Sequence, residues 1–156
     1  MAVNYDETTG IFTIQTEKSS YQMQVDRFGV LLHLYYGGRV NGPMDYLLTF
    51  QDRGFSGNLY DAGADRTYSL DALPQEYPCQ GTGDFRSVCL SMENPDGTLS
   101  CDLRYRSHKI YNGKYGLPGL PAVYAKEEEA QALEIRLEYE ASGLEAVLFY
   151  GVLPKY

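Results

Sequence analysis

Tryptophan is absent from this sequence, histidine occurs twice and cysteine three times. The missing indole removes the side chain best suited to stacking on sugar rings. Two histidines, His33 and His108, leave little room for a Ser-His-Asp triad. Cys79, Cys89 and Cys101 are odd in number and lack the two-to-four-residue spacing of structural zinc sites, so they read as free thiols of a reducing cytoplasm. Basic residues are outnumbered, 13 against 21, for a net charge of −8. That balance argues against nucleic acid and anionic membrane surfaces as partners, because both need a basic face. No apolar run approaches the roughly 18 residues of a membrane-spanning helix. The first ten residues, MAVNYDETTG, have neither the basic nor the apolar segment of a signal peptide. Phosphate loops of the GxGxxG type, nucleophile elbows, HExxH and CxxC are all lacking, so no cofactor is expected.

What is present is tyrosine and alternation. There are 15 Tyr and 6 Phe in 156 residues, enough chain for one domain with a real core. Tyrosine suits half-buried sheet surfaces. Residues 11–16 are rich in β-branched side chains, and Tyr21, Met23 and Val25 alternate with Gln22, Gln24 and Asp26. Residues 30–36 (VLLHLYY) are apolar on both faces and predict a central, doubly covered strand. A short strand is predicted over 46–50. Patterning resumes over 86–93, followed by the turn Asn94-Pro95-Asp96-Gly97. Leu99, Cys101, Leu103 and Tyr105 then share one face of a further strand, which continues or restarts over 108–111. Residues 133–140 and 144–152 form the strongest hairpin in the chain, about the turn Ser142-Gly143. Glu127, Glu128 and Glu129 read as a solvated turn. No segment has a helical period of helix length. Eight to ten strands with hairpin connections make an all-β, antiparallel β-sandwich in a single domain, 1–156.

One stretch escapes this pattern. Residues 65–86 (DRTYSLDALPQEYPCQGTGDFR) hold two prolines and two glycines, four carboxylates, two arginines and three aromatics. They extend an irregular region that begins near 51. A long loop of that chemistry is either an ordered connection with solvated charges or a functional or inter-subunit element. The carboxylates between Asp52 and Asp84 could supply the acid–base pair of a glycosidase, but sequence spacing does not set their separation.

The words DRGFS (52–56), DRTYSLDALPQEYP (65–78), GTGDFR (81–86), SHKIY (107–111) and GLPA (119–122), with the hairpin 133–152, occur in this order over nearly the whole chain. They resemble the N-terminal domain of bacterial α-galactosidases of glycoside hydrolase family 36. The resemblance implies a retaining exo-glycosidase that removes terminal α-1,6-linked galactose from melibiose, raffinose and related oligosaccharides. It implies an N-terminal β-supersandwich, a catalytic (β/α)₈ barrel holding an Asp nucleophile and an Asp acid/base, and a small C-terminal β domain. This chain carries no barrel and no catalytic residue. It is expected to be the N-terminal part of the supersandwich, truncated after the apolar strand that precedes Tyr156, and inactive alone. The partners implied are the galactoside oligosaccharide, the catalytic barrel of the same enzyme and further copies in a homo-oligomer, a tetramer in full-length form. In tetrameric members, loops of this domain approach a neighbouring subunit's substrate pocket. By position in the motifs, Asp52 and Arg66 are the substrate-binding candidates, with a loop-bracing ion pair between them as the alternative. Cys79-Gln80 departs from the Gly/Ala-Tyr pair expected there and bears on packing at the loop tip. The competing reading of the whole chain is a free-standing carbohydrate-binding or interaction module.

Overall fold

In the computed structural model, residues 2–54 and 58–155 are described. The architecture is two antiparallel sheets. The first runs β1 (Val3–Asp6), β2 (Ile11–Gln15), β3 (Ser19–Val25) and β4 (Leu31–Gly38), in that spatial order. The second is β5 (Arg104–Asn112), β6 (Gln131–Tyr139) and β7 (Leu144–Val152). All neighbours are meander connections except the passage from β4 to β5, where residues 39–103 leave the sheets.

The alternation that marks β6 does what it predicts. Leu133, Ile135 and Leu137 are each at most 2% exposed, while Glu134, Arg136 and Glu138 point outward. Burying each of these aliphatic side chains contributes about 1.5–3 kcal/mol. They meet Val3, Phe12, Ile14, Met23 and Leu31 from the first sheet in one core. Gln131 joins the sheets by accepting from the backbone N–H groups of Ala2 (2.6 Å) and Val3 (3.0 Å). The β1–β2 turn is tight because Asp6 accepts from Thr8 N–H and Thr9 Oγ1, both at 2.9 Å. Gly10 closes it at φ 70°, where a Cβ would lie 2.5 Å from the Val25 carbonyl oxygen.

Several expectations need correction. Residues 46–50 form no strand; Asp45–Leu47 is a single 3₁₀ turn. Residues 86–93 contribute one bridge, Leu90 to Cys79, and no strand. The turn at 94–97 is present, with Gly97 N–H donating to the Asn94 carbonyl at 2.8 Å. The strand read from Leu99 begins only at Arg104, and Leu99 is 48% exposed. The cause is local: Cys101 N–H donates to the Gln80 carbonyl (2.8 Å), so this segment is tied to the loop and not to a strand. Cys101 is nevertheless buried, as its position in the pattern predicted. The described residues hold seven strands, and the first of them, β1, carries too short a pattern to be read from sequence.

β4 is an edge strand by sheet order, not a central one, yet both of its faces are covered. Leu31 lies in the main core. Leu32 faces a second cluster with Val30, Tyr68, Leu70 and Leu73. That second cluster is built by the irregular loop.

Candidate functional site

The loop 65–86 is ordered by three anchors. The first is β-like pairing along the free edge of β4. His33 N–H donates to the Pro74 carbonyl (2.7 Å), and Glu76 N–H donates to the Leu31 carbonyl (2.9 Å). Pro74 has no N–H to offer, which suits a segment that pairs on one side only.

The second anchor is a buried carboxylate. Glu76, whose side chain is 9% exposed, accepts from the hydroxyls of Tyr21 (2.6 and 2.7 Å) and Tyr150 (2.7 Å), and faces His33 Nδ1 at 3.3 Å. Tyr21 and His33 belong to the first sheet and Tyr150 to the second, so one loop carboxylate ties both sheets together. Burial and the adjacent carboxylate push both tyrosine hydroxyls well above their ordinary range and keep them as donors. On the other side of the loop, buried Tyr68 donates a short hydrogen bond to Asp26, whose other oxygen accepts from Phe28 and Val30 N–H (2.9 and 2.8 Å).

The third anchor is a clasp. Arg86 reaches Asp84 through Nε and Nη2, each at 2.8 Å, and Nη2 also donates to the carbonyls of Leu70 (2.8 Å) and Leu73 (2.7 Å). Burial opposes ionisation of Asp84, but the bonds from Arg86 and from Gln75 Nε2 (2.9 Å) outweigh it and hold the carboxyl below its usual range. Cys79 is not at the loop tip. It is 2% exposed and its thiol donates to the Cys101 carbonyl at 2.8 Å, so the Cys79 half of the Cys-Gln departure sits in the core, while Gln80 is half-buried.

The two sequence-nominated residues meet on the outer rim of this braced loop. Arg66 Nε donates to Asp52 Oδ2 at 3.0 Å, and its Nη2 donates to the Gly54 carbonyl at 3.0 Å. Asp52 Oδ1 accepts from Gly54 N–H at 2.7 Å. The pair is open to solvent, with side chains 59% (Arg66) and 45% (Asp52) exposed. The Arg66 hydrogen bond lowers the Asp52 pKa, and Asp52 raises that of Arg66, so both stay charged. Residues 55–56 of the DRGFS word lie outside the described residues.

A second pair escaped the sequence reading. Arg53 Nη1 faces Asp71 Oδ2 at 3.4 Å, and Asp71 Oδ1 accepts from Phe85 N–H at 3.2 Å. The partners are 14 to 18 positions apart along aperiodic chain, so no spacing rule could have found them.

Chemically, the described residues of the rim offer fixed donors and acceptors. Asp52, Asp65 and Asp84 all lie below the usual carboxylate range, the opposite of what a general acid needs. The hydrogen bonds that lower Asp65 come chiefly from Thr67. Among the described residues, no group of three or more His, Cys, Asp or Glu side chains is arranged to hold a metal ion.

Comparison with known proteins bears on this geometry. The pattern of the glycosyl hydrolase family 36 N-terminal domain matches residues 29–156. The chain is 59% identical over 153 residues to the bifunctional α-galactosidase/sucrose kinase AgaSK of Mediterraneibacter gnavus, covering 98% of this chain and 16% of that protein. It is 42% identical to α-galactosidase AgaA of Geobacillus stearothermophilus, covering all of this chain and 21% of that one. The galactosidase domain of AgaSK superposes with a TM-score of 0.96 at 58% identity, over 99% of this chain and 21% of that chain. AgaA solved with raffinose superposes at 0.87 and 42% identity, over 94% of this chain and 20% of that chain. The chain thus spans about a fifth of the length of the relatives it matches.

Proposed function

The chain belongs to the glycosyl hydrolase family 36 N-terminal domain family, and we propose that it serves an α-galactosidase as a non-catalytic domain that completes the substrate pocket and builds the oligomer. The enzyme would act on terminal α-1,6-galactosides such as raffinose, with its two catalytic aspartates supplied by a barrel elsewhere in the full-length protein. The observation that carries this reading is the exposed Asp52–Arg66 pair on a loop braced at three points. Sugar hydroxyls are bound best by fixed, charged donors and acceptors. A paired guanidinium and carboxylate keep unused N–H groups and lone pairs for such hydroxyls. The bracing and the reaching roles are therefore compatible in one pair.

Assembly is supported by a separate surface. Leu120 (61% exposed), Val123 (62%) and Tyr124 (96%) project from the irregular stretch between β5 and β6. Large apolar side chains exposed within a few residues of one another are what a contact surface would use.

The test uses the full-length enzyme. Asp52→Ala and Arg66→Ala should raise KM for raffinose about tenfold, the loss expected for one or two hydrogen bonds to charged groups. Unchanged kinetics in both variants would reduce the pair to a loop brace.

A further inference from the structure

The rim does not end at Asp52 and Arg66. Phe85 is 79% exposed although it sits between the buried Asp84 and its clasp partner Arg86. Its backbone is fixed on both sides and its N–H is held by Asp71 (3.2 Å). Asp71 also faces Arg53 (3.4 Å), which adjoins Asp52 in sequence, and the carbonyl of the following Gly54 accepts from Arg66 (3.0 Å). A run of contacts and adjacent residues therefore links the backbone of this exposed aromatic residue to both arginines. An aromatic side chain standing in water on a held backbone gains nothing for folding by its exposure. What it has is a flat apolar face on a backbone that is already ordered when something binds.

We propose that Phe85 and Arg53 extend the rim into a subsite for the sugar units beyond the terminal galactose, Phe85 stacking on the C–H face of a ring and Arg53 donating to its hydroxyls. This inference rests on the pocket-completing reading above. An exo-acting enzyme encloses the terminal sugar, so a rim contributed from outside the catalytic barrel meets the part of the substrate that projects outward. The rim thus discriminates by chain length. An aryl α-galactoside has no distal sugar to contact it, while a tri- or tetrasaccharide does.

The experiment compares kcat/KM for stachyose and for an aryl α-galactoside in the full-length enzyme and in its Phe85→Ala, Phe85→Tyr and Arg53→Gln variants. Phe85→Ala is expected to lower stachyose turnover about fivefold to tenfold, the worth of one aromatic contact, and to leave the aryl substrate within about twofold. Arg53→Gln should act in the same direction, and Phe85→Tyr should retain the stachyose rate. Asp52→Ala is measured alongside. If it weakens raffinose use while Phe85→Ala and Arg53→Gln change nothing, the subsite is overturned and the pocket reading survives. Equal losses on both substrates, or a fall in thermal midpoint without a change in selectivity, would also overturn the subsite by making Phe85 a packing residue. If Asp52→Ala is silent too, both proposals fall together.

Discussion

Two carboxylate–guanidinium pairs stand in one irregular region and differ in almost everything but their chemistry. In the Asp84–Arg86 pair the carboxylate is 1% exposed, and Nη2 of the guanidinium donates to two backbone carbonyls as well. In the Asp52–Arg66 pair both side chains are open to solvent, and among the described residues Arg66 has one further acceptor, the Gly54 carbonyl. A desolvated carboxylate without its cation is expensive, so the first pair is fixed by folding. An exposed pair contributes little to stability because water screens it, so the second is free to serve something outside the chain. The same residue types thus divide into a buried fastener and a pair left open to solvent.

The sharpest way to break this contrast is Arg86→Ala. It leaves Asp84 buried and unpaired and strips two carbonyls of their donor, and should cost about 2–4 kcal/mol in urea denaturation. The 44% exposure of Arg86 lets water replace part of the loss and favours the lower end. A cost no larger than that of removing Arg66 would erase the distinction.

Asp84→Asn should have a smaller effect, about 1–2 kcal/mol at neutral pH, and a characteristic pH signature. The Asp84 carboxyl is held below its unfolded value of about 3.9. Its contribution is therefore fully present above that value and is lost as pH falls through the lower, folded one. Wild-type stability should drop below about pH 4 more steeply than that of the variant. Parallel curves for the two proteins would show that Asp84 is not a stabilising carboxylate.

Smallest of all is the expected effect of Asp52→Ala or Arg66→Ala on folding. The unfolding midpoint of this chain should stay within experimental error, and a clear fall would assign the pair to bracing.

The division also explains what could be read from sequence. β6 was legible because Leu133, Ile135 and Leu137 alternate with charges over a strand that pairs on both sides. The doubly apolar run at β4 was legible as covered on two faces, since Leu31 and Leu32 enter different clusters. Its edge position was not, because the loop that covers it has no period. The alternation through Leu99, Cys101 and Leu103 misled for the converse reason. A strand pattern without a pairing partner leaves its N–H groups to other acceptors, here Gln80. Asp52 and Arg66 were nominated by resemblance and brought together by geometry. Arg53, Asp71 and Phe85 were invisible because their contacts cross 14 or more positions of aperiodic chain.

The pairing of residues 74–76 with the edge of β4 has a consequence for the rim. His33 and Leu31 hold the loop by backbone bonds, and the same strand alternates its side chains between two cores. A slip of β4 itself by one residue would exchange the faces of Leu31 and Leu32, and packing opposes it, so the template on which the loop pairs is fixed. The position of the rim is indexed to that alternation. Two hydrophobic clusters on opposite sides of one strand act as a vernier for the charged groups of the rim.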